Sequence, residues 1–136
     1  MIWQKEIILQ PFPKGIHLIT EIISEQLKDV SESGMLNIFL KHTSAGIIIN
    51  ENADPSVRTD FNNFVSHLIP DNFDQFTHVL EGPDDMSAHI KSSVFGQSLT
   101  IPIVDGQMAL GTWQGIYLCE FRSQGGRRKI VLTLLS

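Results

Sequence analysis

Cysteine is almost missing from this chain. Cys119 is the only one, so no intrachain disulfide can form and nothing points to an oxidising compartment. Charge is scarce too: 18% of residues are Asp, Glu, Lys or Arg, and the formal net charge is −5. That balance lacks the basic footprint of a general nucleic-acid binder. The one basic cluster, Arg127-Arg128-Lys129, is too short to reverse it and reads as a turn entering a strand. No apolar run approaches the roughly 18 residues that span a bilayer. Met1-Ile-Trp-Gln-Lys-Glu6 has no cationic start followed by an apolar stretch, so it does not read as a secretory signal. Walker loops and dinucleotide fingerprints are absent as well. These absences lead to the expectation of a cytoplasmic protein with neither nucleic acid nor membrane as a partner.

What is present is a globular composition. With 136 residues and 42% hydrophobic content, the chain is long enough for one domain, 1–136, with a real core. Cys119 lies inside the apolar run Gly115–Phe121 and reads as a buried structural thiol, not a nucleophile.

Periodicity orders the elements. Ile2–Leu9 reads as a strand stopped by Pro11 and Pro13, and Gly15–Ile19 as a second. Thr20 then caps a helix carrying Ile22, Ile23, Leu27 and Val30, with Gly34 as its C-terminal stop. Met35–Leu40 and Ile47–Asn50 read as strands. Asp54-Pro55 starts a helix whose apolar face is Val57, Phe61, Phe64, Val65 and Leu68, ended by Pro70. A third helix starts at Asp84, with Met86, Ile90 and Val94 spaced by four and Gly96 as the stop. Four β segments follow: Leu99–Val104, Gln107–Leu110 across an Asp105-Gly106 turn, Ile116–Phe121 and Ile130–Leu135. The order ββαββααββββ, with about three helices, is α+β with mixed or antiparallel sheet, expected as one sheet layer covered by helices.

Polar chemistry is concentrated in His78-Val-Leu-Glu-Gly-Pro-Asp-Asp-Met-Ser-Ala-His89-Ile-Lys91, which also contains a helix start. His42 stands in a comparable setting, His42-Thr-Ser-Ala-Gly46, at the end of an apolar run. Convergence of His42, His78 and His89 would make an open metal site of the Zn²⁺ type. Their spacing matches no metal signature, so three separate hydrogen-bonding or surface histidines remain the alternative. Asp85 stands four residues before His89, one helical turn away, where a carboxylate can orient an imidazole. Asp84 is expected to cap. Glu81, before Gly82-Pro83, is a candidate proton carrier. Ser87 and Lys91 beside a helix N-terminus suggest an anion site. Asn50 and Glu51 would enter the cleft that His42 faces if the two strands form a hairpin. Trp113, flanked by Thr112 and Gln114, is either a stacking wall for a heterocycle or a core aromatic. His17 and His67 read as structural.

Five segments taken together, His42-Thr-Ser-Ala-Gly46, Asn50-Glu-Asn-Ala-Asp54, His78 to Lys91, Ile101-Pro-Ile103 and Leu110-Gly-Thr-Trp-Gln114, resemble the YjbQ-like family over nearly the whole chain and in the same order. The resemblance implies a small α+β domain that assembles as a homotrimer. It also implies a weak thiamine-phosphate synthase activity, joining a pyrimidine pyrophosphate to a thiazole phosphate. One departure lies in Phe121-Arg-Ser-Gln-Gly-Gly-Arg-Arg128, which has no histidine near Gln124, where some members carry one.

Three functions follow. The first is an enzyme acting on a small phosphorylated or anionic molecule. Its catalytic residues would be Glu81, Asp85 and His89, with a metal on His42, His78 and His89. Ser44, Asn50, Glu51, Ser87, Lys91, Thr112, Trp113, Gln114 and Arg122 would bind the substrate or its anion. The second is a metal-dependent hydrolase or lyase, and the third a non-catalytic metal- or ligand-binding trimer. Pyrophosphate chemistry calls for oxygen-bound Mg²⁺, whereas histidines suit Zn²⁺.

Overall fold

The structure, a computed structural model, describes residues 1–136. Its elements are β1 (Ile2–Ile8), β2 (Gly15–Leu18), α1 (Thr20–Gln26), β3 (Gly34–Leu40), β4 (Ala45–Glu51), α2 (Pro55–Leu68), α3 (Asp85–Phe95), β5 (Ser98–Val104), β6 (Gln107–Met108), β7 (Gln114–Glu120) and β8 (Lys129–Leu135). The class is α+β, in the element order read from periodicity.

The strands form two sheets, where the pattern had led to one. A five-stranded sheet runs β1-β8-β3-β5-β6 and a three-stranded sheet runs β2-β7-β4, every pairing antiparallel. Alternation in β3, β5 and β8 turns Leu36, Ile38, Leu40, Ile101, Ile103, Ile130, Leu132 and Leu134 to one side. They meet Ala45, Ile47, Ile116 and Leu118 of the smaller sheet, with Ile19, Ile23 and Leu27 from around α1. The smaller sheet is covered on its other face as well. Ile16, Tyr117 and Cys119 pack there against Ala88 of α3, Phe121, Phe61 and Phe95. Burial on both faces is why β7 reads as a continuous apolar run with no alternation. It also pushes the Cys119 thiol up to about 12, which leaves it inert.

Helix ends differ from expectation in three places. Thr20 is the first residue of α1 and not its cap, and its Oγ1 accepts the Ile116 N–H at 2.9 Å. Gly34 opens β3 and does not terminate α1. A Cβ at Gly34 would lie 2.1 Å from the Leu135 carbonyl oxygen, so glycine is needed there for strand approach. Asp84 sits at the start of α3, but its Oδ2 accepts the Ser123 N–H at 2.7 Å in place of a helical amide. Asp54 does cap α2, accepting the Ser56 N–H at 2.9 Å. The Asp105-Gly106 turn has φ of 49° and 80°, the left-handed pair of a type I′ hairpin, and it closes on a β6 of only two residues.

Both long helices bury a narrower or different face than their apolar spacing indicated. On α2, Val65 is buried and Phe61 packs inward, while Phe64 and Leu68 stay exposed. On α3 the buried residues are Asp85, Ser87, Ala88, Lys91 and Ser92, and Val94 is exposed. The small Ala88 and serines let α3 lie close to the sheet, and the polar groups are matched by partners from other elements. No helix is long and apolar enough to cross a membrane.

Candidate functional site

The inward polar face of α3 builds the site. Asp85 and His89 lie one turn apart, and the connection between α2 and α3 brings His78 to the same point. His78 Nε2 is 2.7 Å and His89 Nε2 2.9 Å from Asp85 Oδ2. One ligand atom from each of the three residues lies within 4.8 Å of the others. His89 Nδ1 stands 2.7 Å from the Thr43 carbonyl oxygen, and that contact requires an Nδ1–H donor. In neutral His89 the Nε2 lone pair therefore faces the Asp85 carboxylate. Such an arrangement is relieved by a proton or by a cation between the two atoms.

Arg122 holds the other side of Asp85. Its Nη1 is 3.2 Å from Asp85 Oδ1, its Nη2 donates to the Glu81 carbonyl at 2.7 Å, and its Nε lies 3.5 Å from Asp84 Oδ1. Burial pushes the Asp85 carboxyl up, but the His78 hydrogen bond, the His89 charge and Arg122 outweigh it, and the pKa ends below the ordinary 3.8. Asp85 is thus an anion held by three cationic or hydrogen-bonding partners, with a side chain only 6% exposed.

Clefts open on both sides of the cluster. His89 lines one of about 570 Å³ with His42, Thr43, Ser92, Ser93 and Gln97. His78 lines another of about 580 Å³ with Asp71, Phe73, Phe76, Leu80 and Met86.

The expected three-histidine convergence is corrected. His42 is not among the clustered ligands, because its Nε2 accepts the Lys129 N–H at 2.8 Å. Burial and then the Arg128 charge lower its pKa from 6.5, so its ring is neutral and its Nδ1–H is free to donate. Asp85, and not His42, stands with His78 and His89.

The other expected residues divide. Arg122 joins the cluster, and Glu81 reaches it through its carbonyl. Ser44 is buried nearby, where its carbonyl oxygen accepts from Arg128 Nη2 at 3.1 Å. Ser87 and Lys91 face away from the histidines: the Ser87 hydroxyl bonds Asp71 Oδ1, and Lys91 Nζ lies 3.9 Å from the same atom. Burial and then the Lys14 charge lower the Lys91 pKa from 10.5. Asn50, Glu51, Thr112, Trp113 and Gln114 do not enter this cleft. Glu51 pairs with Gln114 at the far end of β4, roughly 20 Å from the His89 end at 3.3 Å per residue. There the Glu51 carboxylate accepts the Ala53 and Asp54 N–H groups, and Gln114 Oε1 accepts that of Gly111. Trp113 is exposed there and is not part of the core.

Sequence reasoning missed several groups. The Thr43 carbonyl orients His89. Asp71 gathers Ser87, Lys14 and Lys91. Glu120 and Arg128 form a buried bidentate pair at 2.8 and 2.5 Å. Only the interrupted polar character of α3 hinted at such partners. The Thr43 carbonyl, for one, lies 46 residues from His89 along the chain.

The family model described as UPF0047 protein YjbQ-like matches residues 5–136. The chain belongs to the YjbQ-like family. A UPF0047 protein YjbQ of Salmonella typhimurium is 48% identical over 136 residues, covering 98% of each chain. A UPF0047 protein of Methanocaldococcus jannaschii is 54% identical over 113 residues, covering 83% of this chain and 75% of that one. Among solved structures, a YjbQ/UPF0047-family protein from Clostridium acetobutylicum superposes with a TM-score of 0.84 at 38% identity, covering 96% and 99% of the two chains. A conserved hypothetical protein from Thermus thermophilus superposes with a TM-score of 0.86 at 30% identity over the same shares. The YjbQ-like fold, two stacked sheets with α2 and α3 on the smaller one, is therefore the frame that carries the His–Asp cluster.

Proposed function

We propose that this YjbQ-like protein is a small-molecule enzyme with a divalent metal site on His78, Asp85 and His89, and that Zn²⁺ is the ion. One observation carries the reading: both Nε2 atoms meet a single buried carboxylate oxygen, while His89 Nδ1 is tied to a backbone carbonyl. Two imidazoles and a carboxylate suit Zn²⁺, and a histidine whose second nitrogen donates to a carbonyl has the outer support that metal-bound histidines usually have. Arg122 on the other Asp85 oxygen fixes the carboxylate plane. A bound ion would act there as a Lewis acid toward an oxygen of the substrate. The protein's own groups would do the rest. His42, neutral and with Nδ1–H free, donates into the cleft it shares with His89. Ser92 and Ser93 line the same cleft with hydroxyls.

Hydrolysis or elimination on a small anionic or polar molecule fits this donor set best. Thiamine-phosphate synthesis is the second reading, supported by the family resemblance. It fits less well, because pyrophosphate is normally met by oxygen-bound Mg²⁺. A homotrimer in the cytoplasm completes the proposal. Apolar Met35, Phe39, Val104, Leu135 and Ile2 on the open face of the larger sheet support the assembly, and the lone buried thiol supports the location.

Zinc titration of the metal-free protein tests the site. Stoichiometric binding is expected, weakened about 100-fold or more by His89→Ala, since changes to outer-shell partners alone cost 10–100-fold. Unchanged affinity in that variant would remove the metal reading. Thiamine phosphate formed from its two precursors, and lost in His89→Ala, would favour the transferase over the hydrolase or lyase.

A further inference from the structure

The opposite face of α3 carries a second cluster that the proposed metal site does not use. Ser87 and Lys91 are each two positions on from Asp85 and His89, roughly 200° around the helix at 100° per residue. Lys91 turns into a cleft of about 230 Å³ lined by Lys14, Gly15, Asn62, Asn63, Ser66, Glu120 and Phe121. We propose that this cleft between β2, α2 and α3 is a separate binding site for the compact oxyanion, phosphate or carboxylate, of a small molecule, with Lys91 and Lys14 as its cationic ligands.

Lys91 carries the argument. Its side chain is 3% exposed, yet its closest carboxylate oxygen, Asp71 Oδ1, is 3.9 Å away, beyond hydrogen-bond length. Asp71 is already occupied, accepting from Lys14 Nζ at 3.1 Å and from the Ser87 hydroxyl. The Phe121 ring lies 5.7 Å from Lys91 Nζ, which favours a cation there but accepts no ordinary hydrogen bond. An ammonium has three donors, and buried charged groups in proteins are normally paired and hydrogen-bonded. No side-chain or backbone acceptor lies within hydrogen-bond length of the Lys91 ammonium, which has only the 3.9 Å ion-pair contact to Asp71. It keeps some contact with solvent where its side chain lines the cleft. A ligand oxygen that satisfied its donors would make charge-assisted bonds in a partly dry setting, where such bonds are strong.

The rest of the lining fits an anion. Glu120 is the sole carboxylate among the lining residues, and Arg128 neutralises it through two hydrogen bonds of 2.8 and 2.5 Å. Asn62, Asn63 and Ser66 present amide and hydroxyl groups along one side of α2. Gly15, at φ +140°, keeps the floor low: a Cβ there would stand 3.2 Å from Asn62 Nδ2. A space of about 230 Å³ admits an oxyanion with a small attached group but no large ligand.

Calorimetric titration of the intact protein with inorganic phosphate, and separately with acetate, tests the site. Saturable binding of at least one is expected, and the tighter of the two identifies the oxyanion. Lys91→Met and Lys14→Met should each weaken it about tenfold or more, the range for hydrogen bonds to charged groups. Asn62→Asp, which places a carboxylate in the cleft, should abolish it. His89→Ala should leave it unchanged, so failure of the zinc site and failure of this one are read separately. Lys14 and Asn62 lie outside α3, so their variants report even where Lys91→Met unfolds the protein. No saturable binding of either anion, or binding unaltered by Lys14→Met and Asn62→Asp, would overturn the proposal.

Discussion

Asp85 shares its two oxygens unequally. Oδ2 faces both imidazoles, and Oδ1 faces Arg122. Its lowered pKa has a consequence for stability. A carboxyl depressed in the folded state stabilises above its unfolded pKa and loses that contribution as pH falls through the folded value. Thermal denaturation should show Asp85 stabilising at pH 5 and above, with loss below the ordinary 3.8, and Asp85→Asn should flatten that acid limb. His42 acts in a different window. Its folded pKa lies below 6.5, so the unfolded chain takes up the proton first, and stability declines as pH falls below 6.5 until the folded value is reached. In His42→Gln the slope just below pH 6.5 should shrink while the acid limb stays. An unchanged slope there would mean that His42 is not the titrating group. The Asp85–His89 pairing was legible from spacing, because a helical turn is a local property. The His42 partner was not, since Lys129 is 87 residues away.

Strand ends are tied by one ion pair. Glu120 closes β7, Arg128 immediately precedes β8, and Arg128 also bonds the Ser44 carbonyl just before β4. Both side chains are at most 5% exposed. Removing one partner leaves the other charge buried, so Arg128→Met should cost about 3–5 kcal/mol in urea denaturation. Gly125→Ala should act in the same direction, because its Cβ would fall 2.1 Å from Glu120 Oε1. Wild-type stability in both variants would show that the pair contributes little. The same scale explains why the buried face of α3 departs from its apolar spacing. Met86, Ile90 and Val94 gave an apolar spacing of four, yet tertiary contacts buried Ser87, Ala88, Lys91 and Ser92. Hydrophobic periodicity predicts a buried face only where the neighbours are apolar. Asp71, Gln97, Thr43 and Arg122 supply polar partners here, and the helix turns toward them.

At the scale of the molecule, the larger sheet has one face in the core and one uncovered by any helix. Ile2, Leu135, Met35 and Pro102 form an apolar row across four strands on that open face, with Phe39 further along β3 on the same side. Burying that row between copies is the physical basis for the proposed trimer. Sedimentation should give three chain masses at micromolar concentration, and Met35→Lys should shift the population to smaller species. A monomer in the unmodified protein would end the assembly proposal. The sequence by itself determined the element order, the Asp54 cap, the Asp105-Gly106 hairpin and the Asp85–His89 pair, because each rests on backbone preference or on a neighbour within a few residues. Tertiary structure alone decided that there are two sheets, that His78 joins Asp85 while His42 does not, and that Lys91 faces a cleft of its own. Those outcomes depend on which distant polar groups meet when two sheets and three helices close over one core, and no local spacing encodes that meeting.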